Sequence, residues 1–400
     1  MLHEAPRAGR WCAAVLAAWL ACAGARAQDN SIPPSTQPAQ IAPVVESLDP
    51  SVITMHYKDA PLQVVLEDFV RQADADMGIQ RRQIVNYSKS RRISIDLDHA
   101  DFWTALHTIS DRSGLRPQPY VSDSRMVFQV NANAMFGGFD MFSDAAKVSG
   151  AFLIIPWECW LNRSVDYEHD GQSPSDLGMR LIVMPEPKVH VIGPSNQEWM
   201  RQCVDEQGQS LVGNPRQSHF FNNGRGWWWI MQANLREIPH MGQRISRLRG
   251  ELKFTVQSKS ELIEIDDPAN LKDLTRTVGT RTITFNQFTN QNGQWRLRLS
   301  VTNSAAKAGG RTVANVFAGL QILDAQNQPY RQIGISLSNQ GKQVEAILNF
   351  IGYVNDGMIN RLGEVASLGQ PKTLRWEVPT ETRLITVPFE LNDLALPDMP

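Results

Sequence analysis

The run Asp166-Tyr-Glu-His-Asp-Gly171 places carboxylates at alternate positions ahead of a glycine, as the first half of a calcium loop does to gather oxygen ligands around a tight turn. The second half departs from that pattern: position twelve is Leu177, where a bidentate glutamate would close the shell, and the flanks alternate as strands do. A solvated acidic hairpin tip explains the same residues, and no metal is expected. Gly224-Arg-Gly-Trp-Trp-Trp229 carries another chemistry. In a strand Trp227 and Trp229 share one face and Trp228 takes the other. Two readings stay open: a strand buried on both sides, or an aromatic surface for a sugar or an apolar partner, since flat amphipathic rings suit both. Cys159 and Cys203 each fall in an alternating run. In an oxidising compartment they can pair as a disulfide, and two buried free thiols is the alternative that strand register would decide.

Residues for covalent or general-base catalysis form no local pattern. There is no Gly-x-Ser-x-Gly elbow, phosphate loop, His-Glu-x-x-His or Cys-x-x-Cys. The eight histidines are scattered, and Asp266-Asp267 precedes Pro268 in what reads as a solvated turn. The expectation is a protein that is not an enzyme and needs no cofactor. A hydrolase whose residues converge from distant strands is the remaining catalytic alternative.

The elements are organised around residues 52–130, where a strand and a helix are written twice at an offset of forty residues. Ile53, Met55 and Tyr57, then Ile93, Ile95 and Leu97, alternate with period two and put three apolar side chains on one strand face. Leu62, Val65, Leu66 and Phe69, then Phe102, Ala105, Leu106 and Ile109, follow at i, i+3, i+4, i+7, the spacing of an amphipathic helix that can cover that face. Asp59 with Pro61, and His99 to Asp101, are the expected helix starts, and Gly114 the stop of the second. Further strands fit at Gln83 to Asn86, Arg116 to Val121 and Met126 to Val130. The result is a βαββαββ unit with two helices on one face of a small sheet.

Ile93-Ser-Ile-Asp-Leu97 followed by Phe102-Trp-Thr-Ala-Leu-His-Thr-Ile-Ser-Asp-Arg-Ser-Gly-Leu115 resembles the secretin and TonB short N-terminal (STN) domain, with Ala105-Leu106 and Gly114-Leu115 at the matching positions. The first copy is weaker, having Val65-Leu66 at the pair. The resemblance covers about a fifth of the chain. It implies a periplasmic module that acts by contacting other envelope proteins. Downstream no secretin channel, plug or many-stranded membrane barrel is recognisable, so only the contact-making role carries over.

Arg7 and Arg10 precede the apolar run Trp11 to Ala23, and Ala25-Arg-Ala27 gives a small-x-small pattern, so residues 1–27 read as a cleaved secretory signal. Lipoprotein processing at Cys22 is the alternative, with Trp19 standing where a leucine-like residue belongs. No later apolar run reaches the ~18 residues a membrane helix needs. The protein is expected to be exported, periplasmic or attached to the envelope. The formal net charge of −2, and the loss of three arginines and one glutamate with residues 1–27, leave no clustered basic charge for nucleic acid. Residues 28–49, rich in Pro, Ser, Gln and Ala, read as a flexible tether. Residues 131–150 read as a linker whose Met135, Phe136, Phe139, Met141 and Phe142 pack on a neighbour or form an exposed loop.

From Ala151 onward, short alternating runs punctuated by turns predict all-β structure. Asp205-Glu-Gln-Gly208 and Asp324-Ala-Gln-Asn327 have the chemistry of hairpin turns and lie 119 residues apart. That spacing suggests two related β-sandwich, Ig-like modules, 151–258 and 259–400, though one large sandwich would read similarly. The expected function is contact with other envelope proteins. A glycan or cell-wall binder using Trp227 to Trp229 is the alternative.

Overall fold

A left-handed residue lies near the end of each strand of the repeat: Asp59 at φ 48° and His99 at φ 52°, forty positions apart. In the computed structural model β1 (Val52–Pro61) leads into α1 (Leu62–Ala73) and β2 (Gly78–Ile79) follows. Next, β3 (Arg92–Asp101) leads into α2 (Phe102–Ser113), then β4 (Leu115–Tyr120) and β5 (Arg125–Val130). β1 and β3 pair antiparallel. The amide of Asp59 donates to Ser94 Oγ at 3.0 Å, and that of His99 donates to Thr54 Oγ1 at 3.2 Å. Ser94 is itself forty residues after Thr54, so each copy supplies the hydroxyl that receives the other copy's left-handed residue. Ile53, Met55, Ile93, Ile95 and Leu97 are buried with the apolar stripes of both helices. Asp101 caps α2 by accepting from Thr104 N at 2.9 Å, and Gly114 ends it at φ 70°.

Two expectations are corrected. Asp59 does not cap α1, because its left-handed backbone sends the carboxylate to Arg92 Nε at 2.9 Å, while Leu62 N, at the helix start, donates to Arg91 O. Among the described residues the strands also form two sheets rather than one, β1-β3 and a mixed β2-β5-β4.

The structure describes residues 48–73, 78–79, 91–120, 125–130, 141–163, 176–195, 198–214, 219–221, 228–303, 317, 319–340, 343–352 and 368–397. The signal, nearly all of the tether, Gln83 to Asn86, Asp166 to Gly171 and Trp227 lie outside them. No described helix is long and apolar enough to cross a membrane.

Beyond residue 141 the described chain is mostly strand, in three five-stranded sheets. The first sheet runs β11 (His219–Phe221), β12 (Trp229–Leu235), β8 (Asp176–Pro185), β7 (Phe152–Asn162), β6 (Lys147–Ser149). The central sheet runs β10 (Met200–Asp205), β13 (Arg244–Asp266), β20 (Pro371–Ala395), β17 (Leu320–Asp324), with β9 (Val191–Pro194) also on β13. The third runs β14 (Lys272–Val278), β15 (Arg281–Gln291), β16 (Gln294–Asn303), β19 (Gln343–Ile351), β18 (Arg331–Gln340).

Ser258 is not a boundary in the backbone. β13 and β20, 23 and 25 residues long, pair along their length and serve two cores. The register slips between Gln257 and Ser260, opposite Pro379 to Thr382. Before the slip β13 buries Leu252, Phe254 and Val256, and after it Ile263 and Ile265; β20 likewise changes from Leu374, Trp376 and Val378 to Ile385, Val387 and Phe389. One extra residue in each strand turns the two-residue alternation over, so the same face stays buried across the bulge. Residues from the first sheet pack with the first half of β13 and the second half of β20, and residues from the third sheet pack with the other halves. Ile385, Val387, Phe389, Leu391, Leu394 and Leu396 therefore belong to the same core as Phe152, Leu181 and Phe254, and the packing divides differently from the contiguous ranges 151–258 and 259–400.

Both expected turns close in the same way. Asp205 Oδ1 accepts from Gln207 N at 3.0 Å and Gln209 N at 2.7 Å, and Asp324 Oδ1 from Gln326 N at 2.9 Å and Gln328 N at 2.8 Å. Gly208 and Asn327 supply the positive φ that each turn requires.

The first sheet is covered on its other face too. Leu153, Ile155, Ile182 and Met184 join the core of α1 and α2, and Trp103 Nε1 donates to Ala151 O at 3.3 Å. Met141 is buried there, and Phe142 stacks on His107 at 4.5 Å, so the described aromatic end of residues 131–150 packs.

Candidate interaction site

A catalytic site would draw on buried ionisable groups. Glu186 is fully buried just after β8, and its two oxygens accept from Ser51 N at 3.1 and 3.0 Å. Ser51 Oγ adds a bond of 2.7 Å, and Lys188 Nζ stands 3.6 Å away. Ala151 N donates to Leu48 O at 3.1 Å, so residues 48–51 are tied to the first sheet just before β1 begins. Burial pushes the Glu186 carboxyl above the ordinary glutamate range, against the pull of Ser51 and Lys188. Its oxygens are spent on a latch, not aimed at a substrate.

Replacing Glu186 with alanine leaves Ser51 N without its acceptor, and thermal unfolding should report a loss of about 1–3 kcal/mol. The pH dependence has a definite sign. A raised folded pKa means that the Glu186 contribution is full below the unfolded value and falls as pH rises through the folded one. Glu186→Gln should flatten the stability curve in that window.

Asp205 is buried as well. Burial works against its ionisation, yet the amides of Gly242, Gln209, Gln207 and Gly208 hold it below the ordinary aspartate range. It organises a turn. Among the described residues no group of three His, Cys, Asp or Glu could hold a metal ion, and Asp166 to Gly171 lie outside them.

The tryptophan run divides between two cores. Trp229 is 5% exposed on the inner face, 6.4 Å from the Phe254 ring, while Trp228 packs with the α1 and α2 core. The two described rings therefore share no open face.

Another aromatic pair escaped the sequence reading. Trp157 and Trp160 of β7 flank Arg180, whose guanidinium carbon lies 6.0 and 4.8 Å from the two ring centroids. Arg180 also donates to Glu158 Oε2 at 2.7 Å and to Gln232 Oε1 at 3.1 Å. Trp160 lies against Gly178, where a Cβ would come within 2.2 Å of the ring. In a regular strand Trp157 and Trp160 would point to opposite faces; a register slip between Pro156 and Glu158 brings both to Arg180. Trp-Glu-Cys-Trp beside proline was the signal available.

The same slip leaves Cys159 against the first core, which Cys203 of β10 enters from the central sheet. Neither sulfur is bonded to the other in this structure. Burial pushes Cys159 up to about 11 and Cys203 up to about 12.

The sheet edges differ in what they offer. β14 carries Lys272, Asp273 and Arg276, β10 carries Arg201, β1 carries Lys58 and Asp59, and β4 is interrupted by Pro117 and Pro119. Charges and prolines of this kind block addition of another strand. β18 has neither from Gln332 to Gln340, and its Leu337 is 40% exposed. Among the described residues only β19 pairs with it. Comparison with family models, curated proteins and solved structures returns no match.

Proposed function

We propose that this chain is an exported envelope protein, periplasmic or envelope-associated, that acts without catalysis by binding other envelope proteins. Residues 50–130 serve as a module of the secretin and TonB-receptor STN type, and the strands beyond as sandwich modules with an Ig-like build. The observation that carries this reading is the uncharged edge of β18, a surface on which an extended partner segment can add as a further strand. The forty-residue repeat supports the module.

Removing residues 28–130 would be a poor test, because it would uncover Leu153, Ile155, Ile182 and Met184. Point charges serve better. Ser336→Lys with Ser338→Lys should leave the melting midpoint unchanged and cut the partners recovered by crosslinking from envelope extract about tenfold. Unchanged recovery would sink the strand-addition role.

The half-exposed Trp157, Trp160 and Arg180 favour a second reading, a glycan or cell-wall binder on that rim, since Trp228 and Trp229 pack into two different cores. Pelleting with cell wall that survives in the lysine variant and is lost in Trp160→Ala would select it.

A further inference from the structure

We propose that Cys159 and Cys203 form a disulfide that ties the first sheet to the central sheet. The fold places them in one core from two strands, β7 and β10. Cys159 stands opposite Met179 on β7 and Cys203 opposite Leu248 on β10, and both side chains enter one core from two different sheets. The slip between Pro156 and Glu158 is what lets Cys159 reach this core, since with unbroken alternation from Phe152 and Ile154 its side chain would leave by the other face. The remaining cysteines, Cys12 and Cys22, both precede Ala27. Each thiol therefore has one candidate partner in the chain that starts at Gln28. After burial, the next influence raising Cys203 is the charge of Cys159, in keeping with two thiols that share one core.

The two positions differ in access, and this orders the chemistry. Cys159 is half-buried and Cys203 is wholly enclosed. An external disulfide, small-molecule or protein, meets Cys159 first. The Cys159 thiolate attacks one sulfur, the oxidant's S–S bond breaks, and one thiol departs, leaving a mixed disulfide. Cys203 then gives up its proton and attacks Cys159 Sγ, expelling the second thiol. Two thiols of the protein are oxidised, one disulfide of the oxidant is reduced to two thiols, and the two protons given up by Cys159 and Cys203 end on those leaving thiols, with no other reactant needed. Both thiols are held far above neutral pH, so thiolate is scarce in the closed core and exchange there is slow. The bond is then made while the core is still open, during folding in an oxidising compartment.

The test uses the chain from Gln28 exported to an oxidising compartment, unfolded in guanidinium with iodoacetamide and no reductant. The expected result is no added alkyl group and a linked pair of peptides containing Cys159 and Cys203. Reducing that protein should lower its melting midpoint by roughly 10 °C, from the loop entropy released. Comparing one sequence in two redox states makes the result independent of whether a cysteine variant folds. Cys159→Ala alone should lower the midpoint to that of the reduced protein and lose its response to reductant. Two alkylated cysteines in the exported protein, or a midpoint that reductant leaves unmoved, would overturn the proposal.

Discussion

Deletion of Ser258 should abolish packing of the second core, while Ser258→Ala changes stability by less than about 0.5 kcal/mol. The residue is exposed, so little is lost with its hydroxyl. What matters is the count of residues. Ser258 sits in the slip that turns the alternation of β13, so without it Ile263 and Ile265 point to solvent and Glu264 points inward. A one-residue change of phase moves a whole strand face. Scanning calorimetry and tryptophan fluorescence would show it, since Trp295 and Trp376 report from that core. A deletion variant that melts as the parent does would refute the shared-strand account.

Trp103→Ala should be the most damaging single substitution in the first hundred and fifty residues, costing about 3–5 kcal/mol. Trp103 is buried, meets Phe102 edge-on at 5.0 Å, and bonds to Ala151 across the junction with the first sheet. Its loss opens a cavity where two layers meet. Hydrogen exchange should then quicken in β1, β3 and the outward-facing residues of β7 and β8, while β15 and β16 stay protected. Uniform quickening everywhere would mean that the junction is not a separable unit.

Much of the fold was legible because local and long-range signals agreed. In residues 52–113 a two-residue period precedes a 3.6-residue period twice, and the same pairs meet in space. Asp205 and Asp324 were legible as turns because an aspartate at that position bonds to its own backbone whatever surrounds it. Register was not legible. Ser258 to Leu262 are exposed, so β13 reads as two strands with a boundary, although its pairing with β20 never stops. The pairing of Trp157 with Trp160 about Arg180 was not legible for the same reason, a slip fixed by the neighbouring strand and invisible in one strand's sequence. The tryptophan run drew attention because of its composition, yet burial on opposite faces disposes of two of its rings.

The unbroken length of β13 and β20 also has a mechanical consequence. Their hydrogen bonds lie across the strand direction, so tension applied along the strands strains the rungs together and not in succession. The molecule should resist stretching along that axis far more than peeling at its outer strands.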